Sequence, residues 1–248
     1  MDQTMLVSLS HQMATYQAMD SIANNLANVS TPAFKCETPT FQEYVSQVQP
    51  SEGDPSKSVS YVQETGVVRD LTEGPMESTG GKFDFAIHGN GYFAVQTANG
   101  ERYTRDGHFT LDLNGKLSTE EGDEVETQGG AMSFTPQDGD VNVASDGTVS
   151  ATINGTQSQI GKLKVVSFAD EPALQKEGGG LYSTTQTANP ATNVKVVQGM
   201  LESSNVQPVA EISNMIEIMR AYQATADLTQ AKQSQDMQSI DKLAQVQD

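Results

Sequence analysis

The stretch that decides the fold reads Val209-Ala210-Glu211-Ile212-Ser213-Asn214-Met215-Ile216-Glu217-Ile218-Met219, near the C-terminus. Val209, Ile212, Ile216 and Met219 recur at spacings of three and four residues, close to the 3.5-residue repeat of a left-handed coiled coil. The same phase continues through Gln223, Ala226, Gln230, Gln233, Met237 and Ile240. We therefore predict a continuous helix over residues 209–246, about 57 Å long at 1.5 Å per residue.

The N-terminus carries a matching stripe and predicts a second long helix. Its apolar positions are Met5, Leu9, Met13, Tyr16, Met19, Ile22, Leu26 and Val29. This helix should begin near Thr4 and end at Ser30-Thr31-Pro32, because proline cannot continue the helical hydrogen-bond ladder. The two helices can pair with each other as a hairpin, with other copies of the chain, or with both.

The residues between the two helices predict β structure. Residues 36–80 are mixed: residues 41–48 fit a short helix or a strand, residues 50–56 a loop, and 61–62 and 66–68 short strands. Beyond residue 82, short alternating stretches are separated by Asn-Gly and Asp-Gly turns, which are typical of an antiparallel, barrel-like or irregular β domain.

The predicted fold class is α+β. Its expected parts are an N-terminal axial helix (1–35), an extended or mixed connecting segment (36–80), a central, mostly antiparallel β domain (81–200) and a C-terminal axial helix (201–248).

Charge and composition restrict the function. The net charge is −18, of which residues 1–36 carry −1 and residues 207–248 carry −3, so the negative charge is concentrated in the middle of the chain. Such a chain repels nucleic acid, and its nearly neutral helices can pack against like copies. The N-terminus lacks the basic start and unbroken apolar run of a cleavable secretory signal.

No motif predicts catalysis, a cofactor or a metal. Gly89-Asn90-Gly91 fits the start of a dinucleotide-binding pattern, but strand-like residues follow where a helix is required, so we interpret it as a hairpin turn. The Asp138–Val149 stretch opens like a calcium loop but lacks the glycine and glutamate that calcium needs. Asp106-Gly107-His108 is typical of a surface turn. We therefore expect no enzyme activity, cofactor, metal or small-molecule substrate.

Three asparagines close together at the end of the first helix are the most unusual feature of the sequence. Asn24, Asn25 and Asn28 lie where helix propensity does not favour asparagine. Their context, Ile22-Ala23-Asn24-Asn25-Leu26-Ala27-Asn28-Val29 followed by Thr31-Pro32-Ala33-Phe34-Lys35, resembles the signature of bacterial flagellar basal-body rod and hook proteins.

Two further stretches carry the same resemblance, in the expected order. Glu101–Phe109, running on to Asn114–Leu117, is similar to the family's central β motif, and Gly199–Val206 followed by Ile216–Tyr222 is similar to its C-terminal motif. Within the family, the chain length and the stretches 135–138 and 206–209 look most like the proximal rod. A distal-rod or hook-type subunit is the alternative.

The resemblance implies a structural, torque-transmitting subunit of the rod, assembled with other copies and other rod proteins. It implies export through the flagellar type III apparatus without signal cleavage, and a location in the basal body across the periplasm. An alternative from another class is an oligomeric extracellular ligand-binding β module. The predicted assembly interface consists of Leu9, Met13, Tyr16, Ile22, Asn24, Asn25, Leu26, Asn28, Val209, Ile212, Ile216, Met219, Tyr222 and Ala226.

Overall fold

The computed structural model describes residues 3–47, 58–129, 132–135, 140–153 and 156–245. The architecture is α+β, as the sequence predicts, with a long helix near each end and antiparallel strands between them.

Contacts within the chain define two compact units. The helical unit consists of Met1–Ala27, Glu37–Asp70 and Gln207–Asp248, and the β unit consists of Asn28–Cys36 and Leu71–Val206. The short segment that follows the first long helix in sequence therefore belongs to the β unit.

The two long helices are present as predicted. Helix α1 spans Gln3–Ala27 and helix α2 spans Pro208–Gln245. α1 ends three residues before the predicted Ser30, in a turn in which the Thr31 backbone N–H donates to the Asn28 carbonyl at 3.1 Å. α2 starts with proline, whose missing N–H would have no partner in the first helical turn. Neither described helix combines the length and hydrophobicity that crossing a membrane would require.

In the helical unit, a two-stranded antiparallel ribbon accompanies the helices. Strand β1 spans Glu37–Gln47 and pairs with β2, Ser58–Arg69, so the residues of 41–48 that the structure describes form a strand and not a helix. The register shifts between Thr40 and Phe41, opposite Gly66. Such a bulge interrupts the alternation of side chains, which explains why the sequence indicates two short strands at 61–62 and 66–68 instead of one. The predicted loop at 50–56 lies outside the described residues.

The β unit contains sixteen further strands and one short 3-10 helix, Glu171–Ala173, in the part of the chain that the structure describes. The strands are β3 Met76–Ser78, β4 Phe85–His88, β5 Tyr92–Thr97, β6 Gly100–Thr104, β7 Thr110–Leu111, β8 Leu117–Ser118, β9 Glu124–Val125, β10 Val141–Val143, β11 Thr148–Ile153, β12 Thr156–Lys162, β13 Val165–Ser167, β14 Gln175–Lys176, β15 Leu181–Ser183, β16 Asn189–Pro190, β17 Lys195–Gln198 and β18 Met200–Glu202.

The strands pair only with antiparallel neighbours among the described residues. The largest sheet runs β14-β15-β6-β5-β9-β8-β7, with β13 joining β5 to β16. Smaller sheets are formed by β10-β11-β12, by β4 with β17 and by β3 with β18.

Strand β5 lies at the centre of the core and is buried on both faces. Phe93 and Val95 belong to one apolar cluster, and Tyr92 and Ala94 belong to another. Successive side chains of this strand point alternately into two apolar clusters, so both of its faces are buried and neither faces solvent.

The predicted turns are confirmed where the structure describes them. Asn99-Gly100 joins β5 to β6, Asn114-Gly115 lies between β7 and β8, and Asp146-Gly147 joins β10 to β11. Gly115 has a φ of 76°, and a Cβ there would lie 2.0 Å from the Phe134 carbonyl oxygen, so only glycine fits. Asp138-Gly139 and Asn154-Gly155 lie outside the described residues.

The Gly89–Gly91 segment corrects one expectation. It is not a hairpin turn, because β4 pairs with β17 while β5 pairs with β6, β9 and β13. The segment is a corner between two sheets. A Cβ on Gly91 would come within 2.9 Å of Val165 Cγ1, which explains the glycine without any phosphate. A strand follows it, as predicted.

Candidate functional site

The outer face of α2 carries a row of exposed apolar side chains. Val209, Ile212, Ile216 and Met219 are between 46% and 79% exposed, although their 3-4-3 spacing places them on one side of the helix. We call these four residues the outer stripe. An exposed apolar row of this kind is typical of a surface that other chains cover.

Helix α1 carries a second exposed apolar row near its N-terminus. Leu9, Met13 and Tyr16 are 52% to 58% exposed. Farther along the same predicted stripe, Leu26 is half-buried and Ile22 is only 8% exposed. The predicted stripe of α1 therefore passes from solvent into the interior of the helical unit as it approaches the end of the helix.

The two helices contact each other through a different face of α2. His11 Nδ1 lies 3.3 Å from the Thr225 hydroxyl, and Ile22 and Ile218 line one common cavity. Positions 218 and 225 follow a heptad separate from the outer stripe. Of the other predicted interface positions, Tyr222 and Ala226 are half-buried. Pairing within the chain thus occurs, yet it leaves the outer stripe uncovered.

Asn25, the central asparagine of the signature, makes hydrogen bonds within the chain that account for its presence. Asn25 is 2% exposed, its Oδ1 accepts from the Glu37 backbone N–H at 2.9 Å, and its Nδ2 donates to the Glu37 carbonyl at 2.8 Å. The Ser21 hydroxyl donates to the same carbonyl at 2.9 Å. One amide therefore completes both backbone groups where β1 begins, which ties the end of α1 to the ribbon. Asn24 is exposed and Asn28 is half-buried.

We predict that Asn25→Ala lowers the free energy of unfolding of the helical unit by about 1–3 kcal/mol, because it removes the acceptor of the Glu37 backbone N–H and one of the two side-chain donors to the Glu37 carbonyl. Asn24→Ala, one position earlier and exposed, should change it by less than about 0.5 kcal/mol. Urea titration of the full chain, followed by the helical circular dichroism signal, measures both. Equal effects of the two substitutions would contradict the anchoring role of Asn25.

The β unit contains a buried ion cluster made of one residue from each of the three motifs. Lys35 Nζ lies 2.6 Å from Glu202 Oε1, and Arg105 Nε lies 2.9 Å from Glu202 Oε2. Their side chains are 2%, 4% and 0% exposed for Lys35, Arg105 and Glu202. We call these three residues the ion cluster. The sequence marks each motif but does not reveal that the three charges pair.

Backbone hydrogen bonds hold the segments around the ion cluster together. The Ala33 N–H donates to the Glu202 carbonyl at 2.7 Å, and the Asn205 N–H donates to the Phe34 carbonyl at 3.2 Å. Asn205 Oδ1 accepts from the Cys36 N–H at 2.7 Å. Residues 33–36 and 202–205 thus form a short paired junction inside the β unit.

Arg105 also fixes the corner that the glycines form. Its guanidinium donates to the carbonyls of Ile87, Gly89 and Gly91 at 3.1–3.3 Å. The planar guanidinium of Arg105 thus donates to three carbonyls and to the Glu202 carboxylate at once, which the single ammonium group of a lysine could not do in the same geometry.

The electrostatics of the ion cluster are those of a structural element. Burial and the neighbouring charge of Arg105 together lower the pKa of Lys35 by more than the Glu202 carboxylate raises it. Burial alone would raise the pKa of Glu202, but the charges of Arg105 and Lys35, together with hydrogen bonds from Lys35 and the Gly74 backbone N–H, outweigh burial, so that pKa falls below its usual value. With side chains at most 4% exposed, the cluster offers no access to a substrate.

The ring of the histidine in the Asp106-Gly107-His108 turn pairs with Asp84 and not with Asp106. His108 Nδ1 lies 2.8 Å from Asp84 Oδ1, whereas Asp106 accepts the His108 backbone N–H at 2.9 Å. The hydrogen bond to Asp84 raises the pKa of His108. Within the described residues, no group of three or more His, Cys, Asp and Glu side chains is placed to hold a metal ion. Of the calcium-like stretch, residues 138 and 139 lie outside the described part.

Three family models match the sequence, and each contains one member of the ion cluster. "Flagella basal body rod protein" matches residues 5–35, "Flagellar hook protein FlgE/F/G D1 domain" matches residues 86–151, and "Flagellar basal body rod FlgEFG protein C-terminal" matches residues 197–244. Along the chain, the three matched regions follow one another in the same order as the three motifs of the sequence.

Curated relatives extend this similarity over the whole chain. The flagellar basal-body rod protein FlgF of Caulobacter vibrioides is 40% identical, covering 99% of this chain and 100% of its own length. FlgF of Mesorhizobium japonicum is 32% identical, covering 98% of each chain. FlgG of Buchnera aphidicola subsp. Schizaphis graminum is 36% identical over 83% of this chain and 86% of its own length. The chain therefore belongs to the flagellar basal-body rod protein family, as a structural rod protein most like FlgF.

Proposed function

We propose that this chain is a subunit of the proximal part of the flagellar rod, where it transmits torque without catalysing a reaction. In this proposal the terminal helices form a coiled-coil-like axial layer with other copies and other rod proteins. The chain reaches its place across the periplasm through the flagellar type III export apparatus, without cleavage of a signal peptide.

The observation that carries the proposal is the outer stripe. Covering a large apolar side chain such as Ile216 contributes about 1.5–3 kcal/mol relative to full exposure, so about half of that is still available at a half-exposed position. Several such residues on each of many copies add up to a stiff assembly. The nearly neutral helices also let copies approach closely despite the net charge of −18.

The share of this chain that aligns with each kind of relative favours a place in the proximal rod over one in the distal rod. The FlgF relatives of Caulobacter vibrioides and Mesorhizobium japonicum align over 98–99% of this chain and that of Rhizobium meliloti over 87%, whereas the FlgG relative of Buchnera aphidicola subsp. Schizaphis graminum aligns over 83%. A distal-rod subunit is the second candidate, because FlgG identity reaches 36%. Family membership favours both over the ligand-binding β module.

The test is to delete the gene in the source bacterium and restore it with an epitope-tagged copy. Hook–basal bodies are then purified, and gold-labelled antibody locates the tag. We expect the tag in the rod, on the side nearer the inner membrane. Label near the hook would favour the distal-rod candidate, and swimming cells whose basal bodies lack the tag would overturn both.

A further inference from the structure

Arg220 is a basic residue set beside the outer stripe without a partner of its own. It follows Met219 directly and lies one helical turn after Ile216. Its side chain is exposed, and the described part of the chain provides it with neither an ion pair nor a hydrogen bond. Arginine is one of the residue types enriched at the positions where protein interfaces gain most of their energy.

A cavity of about 300 Å³ opens on the helical unit and carries the opposite charge. Helix α1, strand β1 and helix α2 all contribute to its wall, which includes Ile22, Phe41, Ile218, Glu37, Glu211 and Glu217. An apolar wall with three carboxylates suits the long stem and charged head of an arginine side chain. We call this the acidic cavity.

The carboxylates of the acidic cavity are not equivalent. Glu37 lies opposite Arg69 in the register of the ribbon, and Glu211 Oε2 is 3.5 Å from Asn25 Nδ2. Glu217 is exposed and makes neither an ion pair nor a hydrogen bond with the residues that the structure describes. The three glutamates and the one neighbouring base, Arg69, give the cavity a net negative charge. Glu217 is the carboxylate most accessible to a cation from another chain.

Arg220 cannot enter the cavity of its own chain. Asn214 and Ile218 line the cavity and are six and two residues from Arg220, which at 100° per residue places them about 120° and 160° around the helix from it. Only Glu217, three residues earlier, can approach Arg220 along the helix surface, and such exposed pairs are weak.

We propose that Arg220 of one copy inserts into the acidic cavity of a second copy, where it pairs with Glu217 and Glu211 while the outer stripe covers the apolar rim. This inference rests on the proposed rod function and specifies a contact within it. The arginine and the cavity lie on different faces of one helical unit, so the contact is head-to-tail, and a contact of this kind can be repeated from copy to copy in a ring or an open helix. Since Arg220 is at most nine residues from the lining positions of α2, copies with parallel helices would be offset by less than about 14 Å.

Charge exchange tests the contact. Arg220→Glu and Glu217→Arg are each introduced into the tagged chain, and the amount of tag in purified basal bodies is compared with wild type. We expect each single change to lower incorporation at least tenfold. The double variant should recover most of it, because the exchanged charges of two neighbouring copies are then opposite again. Arg220→Lys, which keeps the charge but not the fork, should give an intermediate loss.

Other outcomes separate this inference from the function on which it rests. If both single variants incorporate normally, or if both fail and the double variant does not recover, Arg220 does not pair with Glu217 of a second copy, and the contact is overturned while the rod assignment stands. If wild-type protein is itself absent from the rod, the proposed function fails first. Unchanged circular dichroism of every purified variant excludes misfolding as the cause of a loss.

A second measurement keeps the native charges. Ala224→Cys, one turn after Arg220, and Asn214→Cys, in the cavity wall, are placed on two differently tagged copies in a Cys36→Ser background and expressed together. Disulfide-linked heterodimers in purified basal bodies are the expected result. Their absence, with both copies present in the rod, would overturn the contact.

Discussion

Replacing Glu202 by alanine is expected to unfold the β unit, at a cost of about 3–5 kcal/mol. Removing Glu202 leaves two buried cations together, whereas removing Lys35 or Arg105 leaves one cation paired with Glu202. Without Glu202, the ammonium of Lys35 and the guanidinium of Arg105 remain buried next to each other, and the neighbouring carboxylate that remains, that of Glu73, is partly exposed and lies 3.9 Å from Arg105 Nη2. Glu202 Oε1 also accepts the Gly74 backbone N–H at 3.0 Å, which would be left unsatisfied.

The matched variants show whether charge or shape is responsible. Glu202→Gln keeps the size and part of the hydrogen bonding but not the charge, and should be nearly as destabilising as alanine. Lys35→Met leaves Glu202 paired with Arg105, and it removes a cation that burial already disfavours, so it should cost clearly less. Glu77→Gln, an exposed acid on the strand paired with β18, is the control and should have little effect.

The pH dependence gives an independent check. The pKa of Glu202 is lower in the folded chain than its ordinary value of 4.5, so its stabilisation is present above pH 4.5 and is lost as the pH falls through the lowered pKa. The wild type should therefore lose stability more steeply than Glu202→Gln in that acidic range. Parallel acid profiles, or a Glu202→Ala chain as stable in urea as the wild type, would show that the cluster does not hold the β unit together.

Local patterns in the sequence were sufficient for the helices and the turns. The apolar spacing of residues 209–219 and the proline at 32 predicted α1 and α2 to within a few residues, because helix periodicity and proline geometry act over short distances. The Asn-Gly and Asp-Gly pairs marked three turns for the same reason. The helices and these turns depend on residues that lie close together in the sequence.

Features that depend on distant pairing were not visible in the sequence. Nothing local in the sequence shows that β4 pairs with β17, about 110 residues away, so the Gly89–Gly91 corner looks like a hairpin turn in the sequence. The ribbon of β1 and β2 was obscured by its bulge. The ion cluster joins positions 35, 105 and 202, and one sequence gives no reason to connect three charges at such separations.

The predicted interface combined residues that the structure separates. The outer stripe and the exposed row of α1 remain available to other chains, whereas Ile22 and Asn25 are buried within the helical unit. Periodicity identifies an apolar face, but it does not say which of two neighbouring faces the chain itself covers. Ile22 and Asn25 therefore make contacts within the monomer, although both also line the acidic cavity, and the outer stripe remains the proposed assembly surface.

Ile216→Asp is expected to abolish incorporation into the rod and, with it, swimming. Ile216 is 47% exposed at the middle of the outer stripe, so an aspartate there is tolerated in the free chain. In the assembly, the same carboxylate would have to leave water for an apolar contact without a partner. The penalty in a protein interior is several kilocalories per mole for each ion, and every incorporated copy would incur it.

The control must carry the same charge on the same helix but away from the stripe. Gln235→Asp meets this requirement, because Gln235 is exposed, lies about 100° around α2 from Ile216, and is 17 residues beyond Ile218, the last position of α2 in the acidic cavity. Both variants should be soluble, with the β-type circular dichroism of the wild type, and Gln235→Asp should support swimming on soft agar much better than Ile216→Asp.

The comparison distinguishes a specific surface from a general sensitivity of the helix. If both variants fail equally, added negative charge on a chain that already carries −18 would explain the loss, without any role for the stripe. If Ile216→Asp cells swim normally and their basal bodies contain the usual amount of the protein, the outer stripe is not an assembly surface. Ile216→Ala, which shortens the side chain without adding charge, should fall between the wild type and Ile216→Asp, because it removes apolar contact but buries no ion.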